Sequence, residues 1–142
     1  MKKVFGIIAC FVLLLTLTAC GSNDSTGKTQ KKEEPLNLYG TWTQTNNDSK
    51  DSYQEAVISK DGTITINWVM DDTKSLYWAG SFDAPTTAGK TYSWTSKNDK
   101  TQTENAMLAS GDDTKVFKYD NGVLSYEASA LGSTTTIKLE RK

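Results

Sequence analysis

The sequence contains no histidine. Ser–His and Cys–His nucleophilic systems are therefore excluded, and so are metal sites built on imidazole. Arginine occurs once, at Arg141, and cysteine only at Cys10 and Cys20. No basic tract runs longer than Lys31-Lys32, so the electrostatic footprint of a nucleic-acid binder is missing. Long apolar runs are missing as well, outside the first twenty positions of the 142. Beyond them Thr, Ser, Asn, Asp and Gly dominate, punctuated by Trp and Tyr, a composition that suits short strands and polar turns.

What is present begins with an address. Met1-Lys2-Lys3 is a positive start, and Val4 to Leu17 is an almost unbroken apolar run. It falls short of the roughly 20 residues that a transmembrane helix needs. Small polar residues follow it, as in a signal peptide, here expected over 1–19. Leu17-Thr18-Ala19-Cys20 resembles the bacterial lipobox. That resemblance implies diacylglyceryl transfer to the Cys20 thiol and cleavage before it, leaving the protein at the outer face of the cell membrane. Cys10 departs with the signal peptide, so the mature chain holds one cysteine and no intramolecular disulfide. Lys2 and Lys3 depart too, taking two positive charges from a formal net charge of −1. Two acyl chains, at about 0.8 kcal/mol per buried CH₂, hold a protein at a membrane where one chain is reversible.

Residues 20–36 then read as the lipidated Cys20 and a tether. The stretch "GSNDSTGKTQKKEEPL" has no aromatic side chain and too little apolar surface to offset the entropy of ordering. A coil of about 15 residues spans roughly 20 Å, which keeps a domain near the membrane but free to tumble.

From Asn37 to Lys142 the texture is that of an all-β domain. "TITINWVM" at 63–70 alternates Ile64, Ile66, Trp68 and Met70 with Thr63, Thr65 and Asn67, the period of a half-buried strand. "SYQEAVIS" precedes it across the turn "KDG", and "KVFKY" and "VLSYEAS" flank "DNG" at 120–122, two hairpin signals. Further strands are expected in "YGTWTQ", "SLYWAGSF", "TYSWTS" and "TTTIKLE". In "DKTQTENAMLAS" at 99–110, Asp99 can cap a short helix or Ala106 to Ser110 can form one more strand; the strand is preferred. The result is an antiparallel up-and-down meander of about eight strands. A closed barrel is favoured over a sandwich because closure removes the edges. "DDTK" recurs at 71–74 and 112–115 and reads as turn chemistry, because the further oxygen ligands of a calcium loop are missing.

"LYGTWTQ" resembles the Gly-x-Trp signature of lipocalins and related calycins, with Gly40 and Trp42 in the matching places. In that family the Trp plugs one end of an eight-stranded barrel and packs on a basic side chain from near the chain's end, which makes Arg141 the implied partner. "LYWAGSF" and "ALGSTTTIKLE" are similar to parts of a family of small, uncharacterised lipoproteins and prophage-encoded proteins of Gram-positive bacteria. This second resemblance covers most of the folded domain and implies no activity.

Chemistry has little to work with. A Ser–Lys dyad remains open in a chain without histidine, but Lys60, Lys74 and Lys115 sit at turns and are expected to be solvated. Glu55 and Glu127 lie in expected strands and could face one another as the two carboxylates of glycoside hydrolysis. Their polar neighbours Gln54, Ser125 and Ser129 point instead to an exposed face. No enzyme activity, metal or cofactor is expected. The aromatic residues are the stronger lead. Alternation puts Trp68 and Trp78 inside and turns Tyr77 outward. If the barrel is hollow, Trp68, Trp78, Trp94 and Tyr126 line a pocket for a small apolar ligand. Two roles are compatible with these residues: a binding module for such a ligand or a cell-envelope component, and a surface protein that docks or blocks an envelope or phage protein. A monomer is expected in either case.

Overall fold

The structure is a computed structural model that describes residues 33–130 and 132–142. The expected signal peptide, Cys20 and most of the tether lie outside the described residues. Among the described residues eight strands form: β1 (Gly40–Gln44), β2 (Ser52–Ser59), β3 (Thr63–Met70), β4 (Thr73–Ser81), β5 (Thr91–Lys97), β6 (Thr114–Asp120), β7 (Val123–Ala130) and β8 (Ser133–Arg141). One short helix, α1 (Lys100–Thr103), lies between β5 and β6.

All eight strands belong to one antiparallel, strongly curled half-barrel sheet, in the order β4-β3-β2-β1-β8-β7-β6-β5. Each strand pairs with its sequence neighbour except across β4 and β5, and β1 pairs with β8. This is a lipocalin-like up-and-down barrel parted at one seam. Local turn chemistry builds it. Asn121 and Gly122 both hold positive φ, 47° and 101°, as the tightest antiparallel hairpin requires at its two central positions. The hairpin that joins β2 to β3 keeps its ladder from Ser52–Met70 to Ser59–Thr63, the whole length of both strands.

The seam is closed by a few contacts rather than by a ladder. Gly80 bridges Asn98, the Asp99 amide donates to the Ala79 carbonyl at 2.8 Å, and the Lys97 amide donates to Ser81 Oγ at 2.9 Å. Trp78 Nε1 donates across it to Ser96 Oγ at 3.0 Å. Only glycine fits at position 80: an added Cβ would come within 3.0 Å of Ser96 Oγ, the Lys97 carbonyl and Trp78 Nε1.

The strand preferred at Ala106–Ser110 does not form. Asp99 instead caps α1, its carboxylate accepting from the Thr101 amide at 3.1 Å. The backbone that follows turns on itself, with the Ala106 amide on the Thr103 carbonyl and the Ala109 amide on the Ala106 carbonyl. A single amide, that of Ser110, reaches β4, at the Tyr77 carbonyl. Local capping won over a weak apolar run with too few β-branched residues to compete.

Candidate functional site

The four aromatic residues expected to line a pocket are mostly packed on one another or on their neighbours. Trp94 stacks on Phe117 at 4.9 Å and meets Phe82 edge-on at 5.0 Å; Phe117 touches Tyr126 at 5.2 Å. Trp78 is fully buried and bolts the seam. Trp68 is only half-buried, with its ring edge-on to Tyr77 at 5.9 Å. The interior is therefore filled by side chains along this aromatic chain, where a hollow barrel would hold its ligand.

Tyr77 departs from the outward placement that alternation predicts. It is buried, and it stacks on Tyr126 from the far side of the sheet at 6.2 Å. The cause is a bulge. Ile66 pairs with Trp78 but Asn67 pairs with Leu76, so Tyr77 is the extra residue and strict alternation breaks there.

Trp42 and Arg141 occupy opposite positions of the β1–β8 ladder, and the Arg141 guanidinium lies 4.9 Å over the Trp42 ring. Trp42 Nε1 donates to the Leu38 carbonyl at 3.0 Å. Gly40 opens β1 at a φ of 124°, a conformation L side chains rarely adopt.

The two carboxylates do not form a pair. Glu127 is exposed on β7, while Glu55 on β2 is nearly buried and accepts from Lys74 at 2.5 Å. This hydrogen bond and the carboxylate charge raise the Lys74 pKa. β1 and β8 stand between β2 and β7 in the sheet. Neither Glu55 nor Gln54 has the exposure expected of a polar strand face. Gln54 is fully buried opposite Trp68, and its carboxamide makes no hydrogen bond among the described residues.

Lys60 is exposed, as a turn lysine should be, but Lys115 is not. Its side chain is 4% exposed, and Nζ donates to Asp112 Oδ2 at 2.9 Å and to the Glu127 carbonyl at 3.1 Å. The same nitrogen lies 5.4 Å from the Tyr77 ring centre and 5.2 Å from that of Trp78. Parity could have found it, because Lys115 shares the inward face of β6 with Phe117. Being close to a turn outweighed that signal. A buried cationic side chain needs a partner, and Asp112 supplies it. The Lys115 hydrogen bond and then the Ser110 hydroxyl hold the Asp112 carboxyl below its usual range.

These groups gather at a break in the sheet. The β6–β7 ladder runs from the Asp120–Val123 turn only as far as Phe117–Tyr126. Beyond it, Thr114–Val116 and Glu127–Ala130 continue as strands without pairing to each other, while β7 stays paired to β8. A cleft of about 510 Å³ opens there, with Lys115 and Tyr126 among its lining and Lys118, Ser125, Glu127 and Ser129 on its outer walls. Its size lies within the range of about 300–1,000 Å³ that small-ligand sites occupy. Tyr126 is 2% exposed, and its hydroxyl makes no hydrogen bond among the described residues. Burial, and then the neighbouring Tyr77, drive its pKa well above the ordinary phenol value, so this hydroxyl stays a neutral donor and acceptor. Among the described residues, no three His, Cys, Asp or Glu side chains converge as a metal site requires.

No protein-family model and no curated protein matches the chain.

Proposed function

We propose that this protein is an extracytoplasmic lipoprotein, anchored to the outer face of the cell membrane through lipid on Cys20. Its β domain is a non-enzymatic binding module for a cell-envelope component, taken at the cleft between β6 and β7. The observation that supports this reading is that Lys115 and Tyr126, both buried, line a cleft where the β6–β7 ladder stops, the Tyr126 hydroxyl having no partner among the described residues. An orphaned buried polar group costs about 1–3 kcal/mol, and a bound partner relieves that cost. An apolar ligand within the barrel is the weaker alternative, because the aromatic side chains that would line its pocket are packed together.

Two measurements test the two halves. Cys20→Ser should move the protein from the membrane fraction to the soluble fraction; retention at the membrane contradicts the anchor. A photocrosslinker at Ser129 on intact cells should capture an envelope component that the same group at Lys60 does not. Equal labelling from both positions, or none from Ser129, contradicts the cleft.

A further inference from the structure

The break in the β6–β7 ladder also indicates what class of component fits, and this step rests on the cleft reading above. A strand edge presents a row of peptide N–H and C=O groups that only another extended chain matches throughout. Here two such edges face each other, Thr114–Val116 from β6 and Glu127–Ala130 from β7. The next pair in register would be Val116 with Glu127. Instead the Lys115 side chain crosses the break and donates to the Glu127 carbonyl at 3.1 Å. A side-chain amine thus caps an acceptor that a strand would otherwise take.

Little besides this amine ties the outer part of β7 to β6. Its described pairings run to β8, from Glu127–Thr136 to Ala130–Ser133. β8 in turn pairs with β1 over Leu139–Arg141. Past that, the Thr45 amide donates to the Lys138 carbonyl and the Lys138 amide to Asn46 Oδ1, both at 2.9 Å, and the Asn46 carboxamide donates to the Thr136 carbonyl at 2.8 Å, so the ties end at Thr136. The outer half of the β7–β8 hairpin is a ribbon that an inserted strand can lift without breaking a ladder.

We propose that the β6–β7 cleft accepts an extended peptide segment of a partner protein, which completes the interrupted ladder and presents an acidic side chain to Lys115. The acidic preference follows from Asp112. This rim residue, its side chain 51% exposed, reaches in to satisfy an amine that is itself buried. A carboxylate on the inward face of the inserted strand takes the same place, with the unpartnered Tyr126 hydroxyl as a second donor. A saccharide fits less well. Sugars stack on exposed aromatic faces, and Tyr126 has its ring packed between Tyr77 and Phe117.

The test is an amide NMR titration of the unit Lys32–Lys142, which carries all the described strands and core. The probe is a terminally blocked heptapeptide of alternating Thr and Val with Glu at its centre. Shifts are expected at the Thr114–Val116 and Glu127–Ser129 amides. N-methylation of alternate peptide amides should weaken binding about tenfold, the loss expected for unmade buried hydrogen bonds. Lys in place of the central Glu should weaken it by about the same factor through like-charge contact with Lys115. Asp112→Asn keeps an amide oxygen that can accept from Lys115 but removes the competing charge, and should tighten the Glu peptide, with the amide spectrum of the free variant checking that it stays folded. The proposal is overturned if the peptide shifts no cleft amide, if its N-methylated form binds equally, or if the shifts fall along the outer edge of β4 or β5. Chitotriose shifting the cleft amides where the peptide does not overturns the peptide class and leaves the cleft reading standing. Silence from both probes, with no crosslink from Ser129, removes both.

Discussion

The Arg141 guanidinium lies over the Trp42 ring at 4.9 Å, and its Nη2 donates to the Asn37 carbonyl at 2.6 Å. One side chain thus ties the last strand to the first and to the segment that leads into it. Arg141→Ala should cost about 1–2 kcal/mol of unfolding free energy, from the cation–π contact and the lost hydrogen bond together. Arg141→Lys should recover only part, because a lysine lacks the planar fork. Trp42→Ala should cost about 3–5 kcal/mol, since the ring is fully buried. Urea unfolding of the unit Lys32–Lys142 measures all three, and an Arg141→Ala midpoint equal to that of the wild type would refute the clamp.

Gly80 is the tightest point of the seam. Gly80→Ala should destabilise by about 1–3 kcal/mol, as overpacking does, and should loosen the seam. The local reading is hydrogen exchange: the Asp99 and Lys97 amides should lose protection before the β2–β3 amides do. Uniform loss across the sheet would mean that the seam is not a separate weak point.

Acid should act through Asp112. Its carboxyl sits below the usual range when folded, because Lys115 and then Ser110 hydrogen-bond to the charged form. A depressed folded pKa gives stability that is complete above the unfolded value of 3.8 and is lost as pH falls through the folded one. Asp99, held down by the Thr101 hydroxyl and then by Gln102, acts in the same direction. Stability measured from pH 6 downward should therefore fall below about pH 4. Asp112→Asn should flatten that fall only in part, because Asp99 remains.

Alkali should act through Tyr126. Its folded pKa is raised above the ordinary 10.0, so its contribution is present below that value and is lost as pH climbs through the folded one. Tyr126 should be among the last of the six tyrosines to develop phenolate absorbance. Tyr126→Phe should remove that late step. At neutral pH it should leave stability unchanged or raise it by up to about 1 kcal/mol, since it deletes an unpartnered hydroxyl. A loss of more than that would mean that the hydroxyl is satisfied in solution.

Much of this fold can be read from local signals. "SYQEAVIS" and "TITINWVM" coincide with β2 and β3 residue for residue, because alternation and a glycine turn act within a few positions. The clearest contrast is between the two "DDTK" turns. Asp112 and Lys115 bond to each other, while Lys74 turns away from Asp71 to Glu55. Nothing within the four residues distinguishes them; the neighbouring strand does.

The eight strands, their hairpins, the lack of histidine chemistry and the expectation of a lipid at Cys20 are all legible in the chain, where the expected strand at Ala106–Ser110 is the only strand that misleads. Each of these depends on residues close together in the chain. Folding in three dimensions is what turns Tyr77 inward at a bulge, buries Lys115 under Asp112, and stops the β6–β7 ladder at Phe117 and Tyr126. A bulge, a buried charge and an interrupted ladder arise from how a curled sheet closes on itself, and that closure brings together residues distant in sequence.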